Sequence, residues 1–154
     1  AYSNKFGHIV LNTSNKSEVA VGFGTLHGDM CGSLAVLADI YKTEVYALAE
    51  YINRDKIIIP QNIIDKVPSA ELAPNQKDSD RLPDYNILDA ILKEYIENSK
   101  TAEEIINLGF DADIVKRSIK MVNMNEFKRY QSAPIIKVSP KSLAMKPRIP
   151  LIIK

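Results

Sequence analysis

Three observations predict an α/β chain, mostly helical, with one or two parallel strands. "HIVLNT" (8–13) is a short apolar run closed by polar residues, the pattern of a buried parallel strand. Directly beyond it, "LNTSNKSEVAVGFGTLHGDMCGS" (11–33) crowds Thr, Asn, Lys, Glu, His and Asp around small residues. The remainder is dominated by stretches with helical periodicity and recognisable start and stop signals.

Each element follows in order. A short helix is expected from about Ser17, with Glu18 in its first turn. "GTLHGDMCGS" (24–33), with Gly24, Gly28 and Gly32, reads as a loop. "LAVLADIY" (34–41) fits either a strand or the approach to a helix. "TEVYALAEYIN" (43–53) predicts a helix, because Val45, Leu48, Ala49 and Ile52 recur at helical spacing and Thr43 can serve as N-cap. Residues 56–85 hold four prolines and the polar run Asn75–Arg81, hence a long irregular segment. Loops of that length inside a compact domain are usually functional or disordered. "PDYNILDAILKEYIENS" then places Tyr85, Leu88, Ile91, Leu92 and Tyr95 on one helical face. Thr101 with Glu104 makes a capping box and Gly109 a terminator. Asp111 can cap a helix whose stripe is Ile114, Val115, Ile119 and Val122. These helices read as core-building material. The end, "SAPIIKVSPKSLAMKPRIPLIIK", holds four more prolines and is expected to run extended over the surface. The division is therefore a domain over 1–131 and a basic tail over 132–154.

A chain of 154 residues fits one domain with a real core. A formal net charge of +1 gives no argument for nucleic acid or an anionic membrane. No apolar run approaches the roughly 20 residues a spanning helix needs. The start, "AYSNKFGHIVL", lacks signal-peptide features, and Cys31 is the single cysteine, so no internal disulfide can form. A cytoplasmic home is the expectation. The chain begins without Met, in what reads like the middle of a domain, so a fragment or processed chain is expected. Beyond Glu126 there are seven basic residues and no acidic ones. That is either a solvated tail or a sign that Lys128 and Arg129 face an anionic ligand or a partner subunit.

Ligands of open α/β sheets gather beyond the carboxyl ends of strands, where residues 12–18 would lie. Thr13 can offer its hydroxyl to an adenine, ribose or phosphate, or simply cap a turn. Glu18 is a hard oxygen donor of the kind Mg²⁺ takes in ones or twos, or an acid placed for the helix dipole. Lys42 precedes a helix start, where anions are favoured, or is a surface lysine. Asp29 can hold a ribose or cationic ring, or close an Asx turn. His27 can donate or accept. With two histidines and no ligand cluster, a zinc site is not expected, and Cys31 reads as a buried thiol rather than a nucleophile.

Taken together, "NTSNKSEVAVGFGTLHGDMCG", "DIYKTEVYALA", "PSAELAPNQKDSDRLPDYNILDAIL" and "NEFKRYQSAP" closely resemble NAD⁺ synthetase of the glutamine-dependent type, in the carboxyl-terminal part of its synthetase domain. The resemblance covers nearly the whole chain. It implies an adenine-nucleotide α-hydrolase-like (Rossmann-like) domain, here partial. It also implies a ligase that uses ATP and Mg²⁺ to adenylate deamido-NAD⁺, after which ammonia displaces AMP to give NAD⁺. The ammonia comes from glutamine through an upstream nitrilase-like domain.

By the same resemblance, Thr13, Lys42 and Ser69 contact ATP, with Lys42 on the phosphates as the catalytic lysine. Glu18 lies near Mg²⁺ and the substrate, while Asp29 and Lys128 reach deamido-NAD⁺. Lys128 is expected to do so across the interface of a homo-oligomer. The segment around Ser69 resembles a loop that orders over the site. His27 and Ser33 depart from the pattern, where an aromatic and a Gly or Asp are usual. The "SGGxDS" phosphate loop does not occur in the sequence, so the chain by itself is expected to be inactive. The rival expectation is a non-catalytic module for nucleotide binding or subunit association.

Overall fold

The computed structural model describes residues 1–70 and 73–143. In chain order they form α1 (Tyr2–Phe6), β1 (Leu11–Asn12), α2 (Lys16–Val21), β2 (Leu34–Ala35), α3 (Lys42–Asn53) and α4 (Gln61–Ile64). A 3-10 turn (Asp78–Asp80) leads to α5 (Tyr85–Leu92), which continues through a π-helical turn (Lys93–Glu97). Then come α6 (Ala102–Asn107), α7 (Ala112–Met124) and α8 (Glu126–Tyr130). No helix among the described residues is long and apolar enough to cross a membrane.

β1 and β2 pair in parallel, Leu11 opposite Leu34 and Asn12 opposite Ala35. The strand expected over 8–13 is cut to two residues, and Leu11 is 54% exposed, so it is not buried on both faces. Only one neighbour, β2, pairs with it among the described residues. Of 34–41, Leu34 and Ala35 are the strand.

The core is helical. Ala20 and Val21 of α2 meet Leu88 and Leu92 of α5, Ile96 and Val122. On the far side of α5, Ile91 packs with Ile105 and Val115. The predicted stripes of α5 and α7 therefore face one another, with Ile114 and Ile119 partly buried beside them. The predicted signals hold at both ends of α6. Thr101 accepts from the Glu104 amide at 3.3 Å while Glu104 accepts from the Thr101 amide at 2.7 Å. Gly109 follows α6 at φ +99°, a conformation that costs glycine little. Asp111 caps α7 through the amides of Asp113 and Ile114 at 3.0 and 2.9 Å.

α3 departs from expectation. It starts at Lys42 with Tyr41 at the N-cap, not Thr43. Its first amides have tertiary partners: Lys42 N donates to the Ser17 hydroxyl and Thr43 N to Asp89, both at 2.9 Å. None of its residues is buried; Leu48 and Ile52 stay exposed.

Residues 132–143 run largely along the surface, with Ile136 and Val138 exposed, but they are anchored. Ala133 and Ser142 are buried, and Ile135 bridges Ala35 in parallel. They are pinned by Lys16, which is wholly buried. Its ammonium donates to Glu97 (2.7 Å), the Ser139 hydroxyl (2.8 Å) and the Lys141 carbonyl (3.1 Å). It also lies 3.3 Å from Asp39 and over the Tyr41 ring. Asp39 in turn accepts from the amides of Val138 and Ser139 at 2.8 and 2.7 Å. The last part of the expected tail, with Lys146, Arg148 and Lys154, lies outside the described residues.

Candidate active site

The polar stretch at 11–33 folds around α2. Asn15 accepts from the Glu18 amide at 3.0 Å, and the Glu18 carboxylate accepts from the Asn15 amide at 3.1 Å. This capping box leaves the second Glu18 oxygen, Oε1, facing Lys42 Nζ at 3.6 Å. α2 stops at Gly22, in the left-handed region at φ +69°, where a Cβ would lie 2.2 Å from Asn125 Cγ. Asn125 fills that space to donate to the Val21 carbonyl at 2.9 Å. Lys128 then donates to the Gly22 and Gly24 carbonyls at 2.7 and 2.8 Å, fixing the turn beyond the helix.

Opposite stands the proline-broken segment. The Asp78 amide donates to the Pro68 carbonyl at 3.0 Å. That bond ties Pro68 to Asp78, and Ser69 and Asp78 line the same cavity. Between the two walls is a cavity of about 750 Å³. Thr13, Ser14, Glu18, Asp29 and Lys128 line one side, and Ser69, Gln76, Asp78 and Arg81 the other.

Five of the six residues singled out in the sequence, Thr13, Glu18, Asp29, Ser69 and Lys128, therefore share one volume. Lys42 does not line it but reaches it through Glu18, with its ammonium also 5.6 Å from the centre of the Tyr85 ring. The anion-favouring end of α3 is already filled, by Ser17 and the Asp89 carboxylate. Asp29 has one oxygen engaged, accepting from the Thr25 amide, four residues back, at 2.6 Å, and so closes the 25–29 turn rather than an Asx turn. Lys128 stands on this chain's own cavity, its ammonium on two backbone carbonyls. Arg129 is spent on structure, donating to the Ala20 and Val122 carbonyls and pairing with Glu126 at 2.8 Å. Cys31, expected to be buried, is exposed, because the turn that carries it lies on the surface.

Sequence reasoning missed Asp78, Gln76 and Arg81. In "NQKDSDR" they look like any solvated polar run, and only the closure at Pro68 turns them inward. Tyr85 was placed on an apolar face; its hydroxyl in fact donates to Asp78 Oδ2 at 2.8 Å.

The electrostatics of the wall are strained. Burial raises the Glu18 pKa, opposed by Lys42 and the Asn15 hydrogen bonds and reinforced by the Asp78 charge. Burial also lifts the Tyr85 phenol, and the Asp78 carboxylate that accepts from it adds to the rise. Asp78 is 5% exposed, and its Oδ1 has no hydrogen-bond partner. Glu18 and Asp78 are thus desolvated carboxylates on a cavity that Arg81 and Lys128 also line, with Lys42 beside Glu18. Hard oxygen donors of this kind, one or two per ion, are what Mg²⁺ takes beside phosphate and water. The residues fit that ion.

The sequence profile of the NAD synthase family matches residues 1–132. The chain belongs to the NAD synthase family. Among its relatives are the glutamine-dependent NAD(+) synthetases of Synechocystis sp., 47% identical over 151 residues, and Acinetobacter baylyi, 49% identical over 152. These alignments cover 98% and 97% of this chain but 27% and 28% of the relatives, so the chain spans about a quarter of their length. The structure of the NMN synthetase from Francisella tularensis superposes with a TM-score of 0.65 at 26% identity, over 90% of this chain and 49% of that one. Within the NAD synthase family, the mostly helical chain with its two parallel strands is part of a Rossmann-like domain.

Proposed function

We propose that the cavity is one wall of a glutamine-dependent NAD⁺ synthetase site, where ATP adenylates the nicotinate carboxylate of deamido-NAD⁺ and ammonia then displaces AMP. The observation that carries this reading is the convergence of Thr13, Glu18, Asp29, Ser69 and Lys128, drawn from 116 residues of sequence, on one volume in a member of the NAD synthase family. A neighbouring structure, the glutamine-dependent NAD⁺ synthetase from Acinetobacter baumannii, is described in complex with ADP.

In this reading the Thr13 and Ser69 hydroxyls, on opposite walls, hold ATP between them. Lys42 leaves Glu18 partly neutralised and offers its ammonium to the phosphates as negative charge moves onto the departing pyrophosphate. Asp29 and Lys128 position deamido-NAD⁺. Glu18 holds Mg²⁺, which when bound neutralises phosphate charge. Ammonia arrives from glutamine by way of an upstream nitrilase-like domain, and the enzyme works in the cytoplasm as a homo-oligomer.

No SGGxDS sequence occurs in the 154 residues, so the backbone cradle for pyrophosphate has to come from outside this chain. Preorganised donors of that kind are a large part of such catalysis, and the chain alone should form no NAD⁺. The test is deamido-NAD⁺-dependent exchange of pyrophosphate into ATP by the full-length protein. Lys42→Ala should lower it on the order of 100-fold, the scale of one lost transition-state donor. Undiminished exchange would refute the role of Lys42. An absence of exchange in the unaltered protein, with nucleotide still bound, would instead favour a non-catalytic binding module.

A further inference from the structure

We propose that Asp89 is a positioning residue for Lys42: through Ser17 and Thr43 it fixes the start of α3 against the start of α2, and so sets where the Lys42 ammonium stands beside Glu18. This rests on the phosphate-binding role read for Lys42 above and goes beyond it. Asp89 lies in α5, is buried and does not line the cavity. Its carboxylate nevertheless takes three hydrogen bonds from the two helices that flank the Lys42–Glu18 pair. Oδ1 accepts from the Ser17 hydroxyl in the first turn of α2. Oδ2 accepts from the Thr43 amide and the Thr43 hydroxyl in the first turn of α3, both at 2.9 Å. Ser17 is the residue before Glu18, and Thr43 the residue after Lys42. The Ser17 oxygen also accepts the Lys42 amide at 2.9 Å. The amides on both sides of the Lys42 Cα are thus held, one by Ser17 and one by Asp89.

α5 meets the other end of Lys42 as well. Tyr85 precedes Asp89 by four residues, which puts the two on one face of the helix. The Lys42 ammonium stands 5.6 Å from the centre of the Tyr85 ring and 3.6 Å from Glu18 Oε1. None of the residues of α3 is buried, so apolar packing does little to fix its start. Three converging donors need a group that only accepts, which an ionised carboxylate is and an amide is not. The two helix starts stay joined without Asp89, because the Ile40 carbonyl accepts from the Lys16 amide at 2.8 Å and Tyr41 is part of the core. Losing the carboxylate therefore shifts Lys42 rather than unfolding the chain, and a displacement of about 1 Å can cost up to about 100-fold in rate.

The experiment is a double-mutant cycle in the full-length protein, read by deamido-NAD⁺-dependent exchange of pyrophosphate into ATP. Asp89→Asn should lower kcat about tenfold and leave the KM for ATP within about twofold. In a Lys42→Ala background the same change should lower kcat by less than about twofold, because residues that act as a unit are not additive. Amide hydrogen exchange supplies a readout without catalysis. In Asp89→Asn the peptide holding Lys42 and Thr43 should exchange about tenfold faster, while α7 stays as it was. If Asp89→Asn does not fold, Thr43→Val runs the same cycle with a fall of about fivefold, the worth of one hydrogen bond. An unchanged kcat in Asp89→Asn would overturn the proposal and leave Lys42 in its role. So would a further fall of about tenfold in the Lys42→Ala background, or faster amide exchange throughout α7, both marks of a general structural role. If Lys42→Ala itself keeps full pyrophosphate exchange, the reading of Lys42 fails and this proposal with it.

Discussion

The Lys16 hub and the Glu18–Asp78 cavity both bury charge, two residues apart in sequence at their nearest, yet their hydrogen-bond accounts differ. Every donor of the Lys16 ammonium is used, by Glu97, Ser139 and Lys141, and Asp39 beside it accepts from two amides and a hydroxyl. Around the cavity, Lys42 faces Glu18 at a loose 3.6 Å and Asp78 keeps a bare buried oxygen. A closed network holds a fold together; an open one is held together by the fold and waits for a ligand. The difference distinguishes structural from binding polarity without reference to any relative.

Breaking the hub should have the largest effect. Lys16→Met leaves Asp39 and Glu97 buried without their cation, and should cost about 3–5 kcal/mol, read by urea unfolding. A loss below about 1 kcal/mol would mean that the hub does not hold the fold. Gly22→Ala comes next, because a side chain at φ +69° is strained and its Cβ collides with Asn125. About 2–4 kcal/mol is expected from strain and overpacking together, and the wall should loosen with the turn that Lys128 holds.

The two regions should also respond to pH with opposite sign. Burial alone would raise the Asp39 pKa, but the hydrogen bonds from Ser139 and Val138 and the Lys16 charge bring it below 3.8. Its contribution is present above that unfolded value and lost as pH falls through the lower folded one. Glu18 is raised above 4.5, chiefly by burial, so the fold takes up its proton more readily than the unfolded chain does. Its contribution is greatest in acid and declines as pH rises through that window. Asp39→Asn should flatten the acid limb of a stability–pH profile. Glu18→Gln should raise stability at neutral pH, where the buried carboxylate is charged. If both variants shift the profile in the same direction, the distinction fails. The smallest effect belongs to a solvent-facing cap: Asp111→Ala should cost about 1 kcal/mol and leave ligand binding untouched.

What the sequence showed and what it hid divide along a physical line. Local rules were legible. The capping box at Thr101, the Asp111 cap and the stripes of α5 and α7 depend on residues within a turn or two, and all stand where predicted. Thr43 was misread as an N-cap because the partners of the α3 amides, Ser17 and Asp89, lie 25 and 46 residues away along the chain. The convergence of Thr13, Glu18, Asp29, Ser69 and Lys128 was legible only through resemblance. Asp78 was not legible at all, since one hydrogen bond to Pro68 and one from Tyr85 decide that it faces inward.

The most direct measurement is hydrogen–deuterium exchange of the full-length protein with and without deamido-NAD⁺ and a non-hydrolysable ATP analogue in the presence of Mg²⁺. Ligand should slow exchange in both walls, residues 13–29 and 69–81, while the amides of Val138 and Ser139 beside the closed Lys16 hub stay as they were. Protection confined to regions outside these two walls would contradict the assignment of the cavity as the nucleotide site.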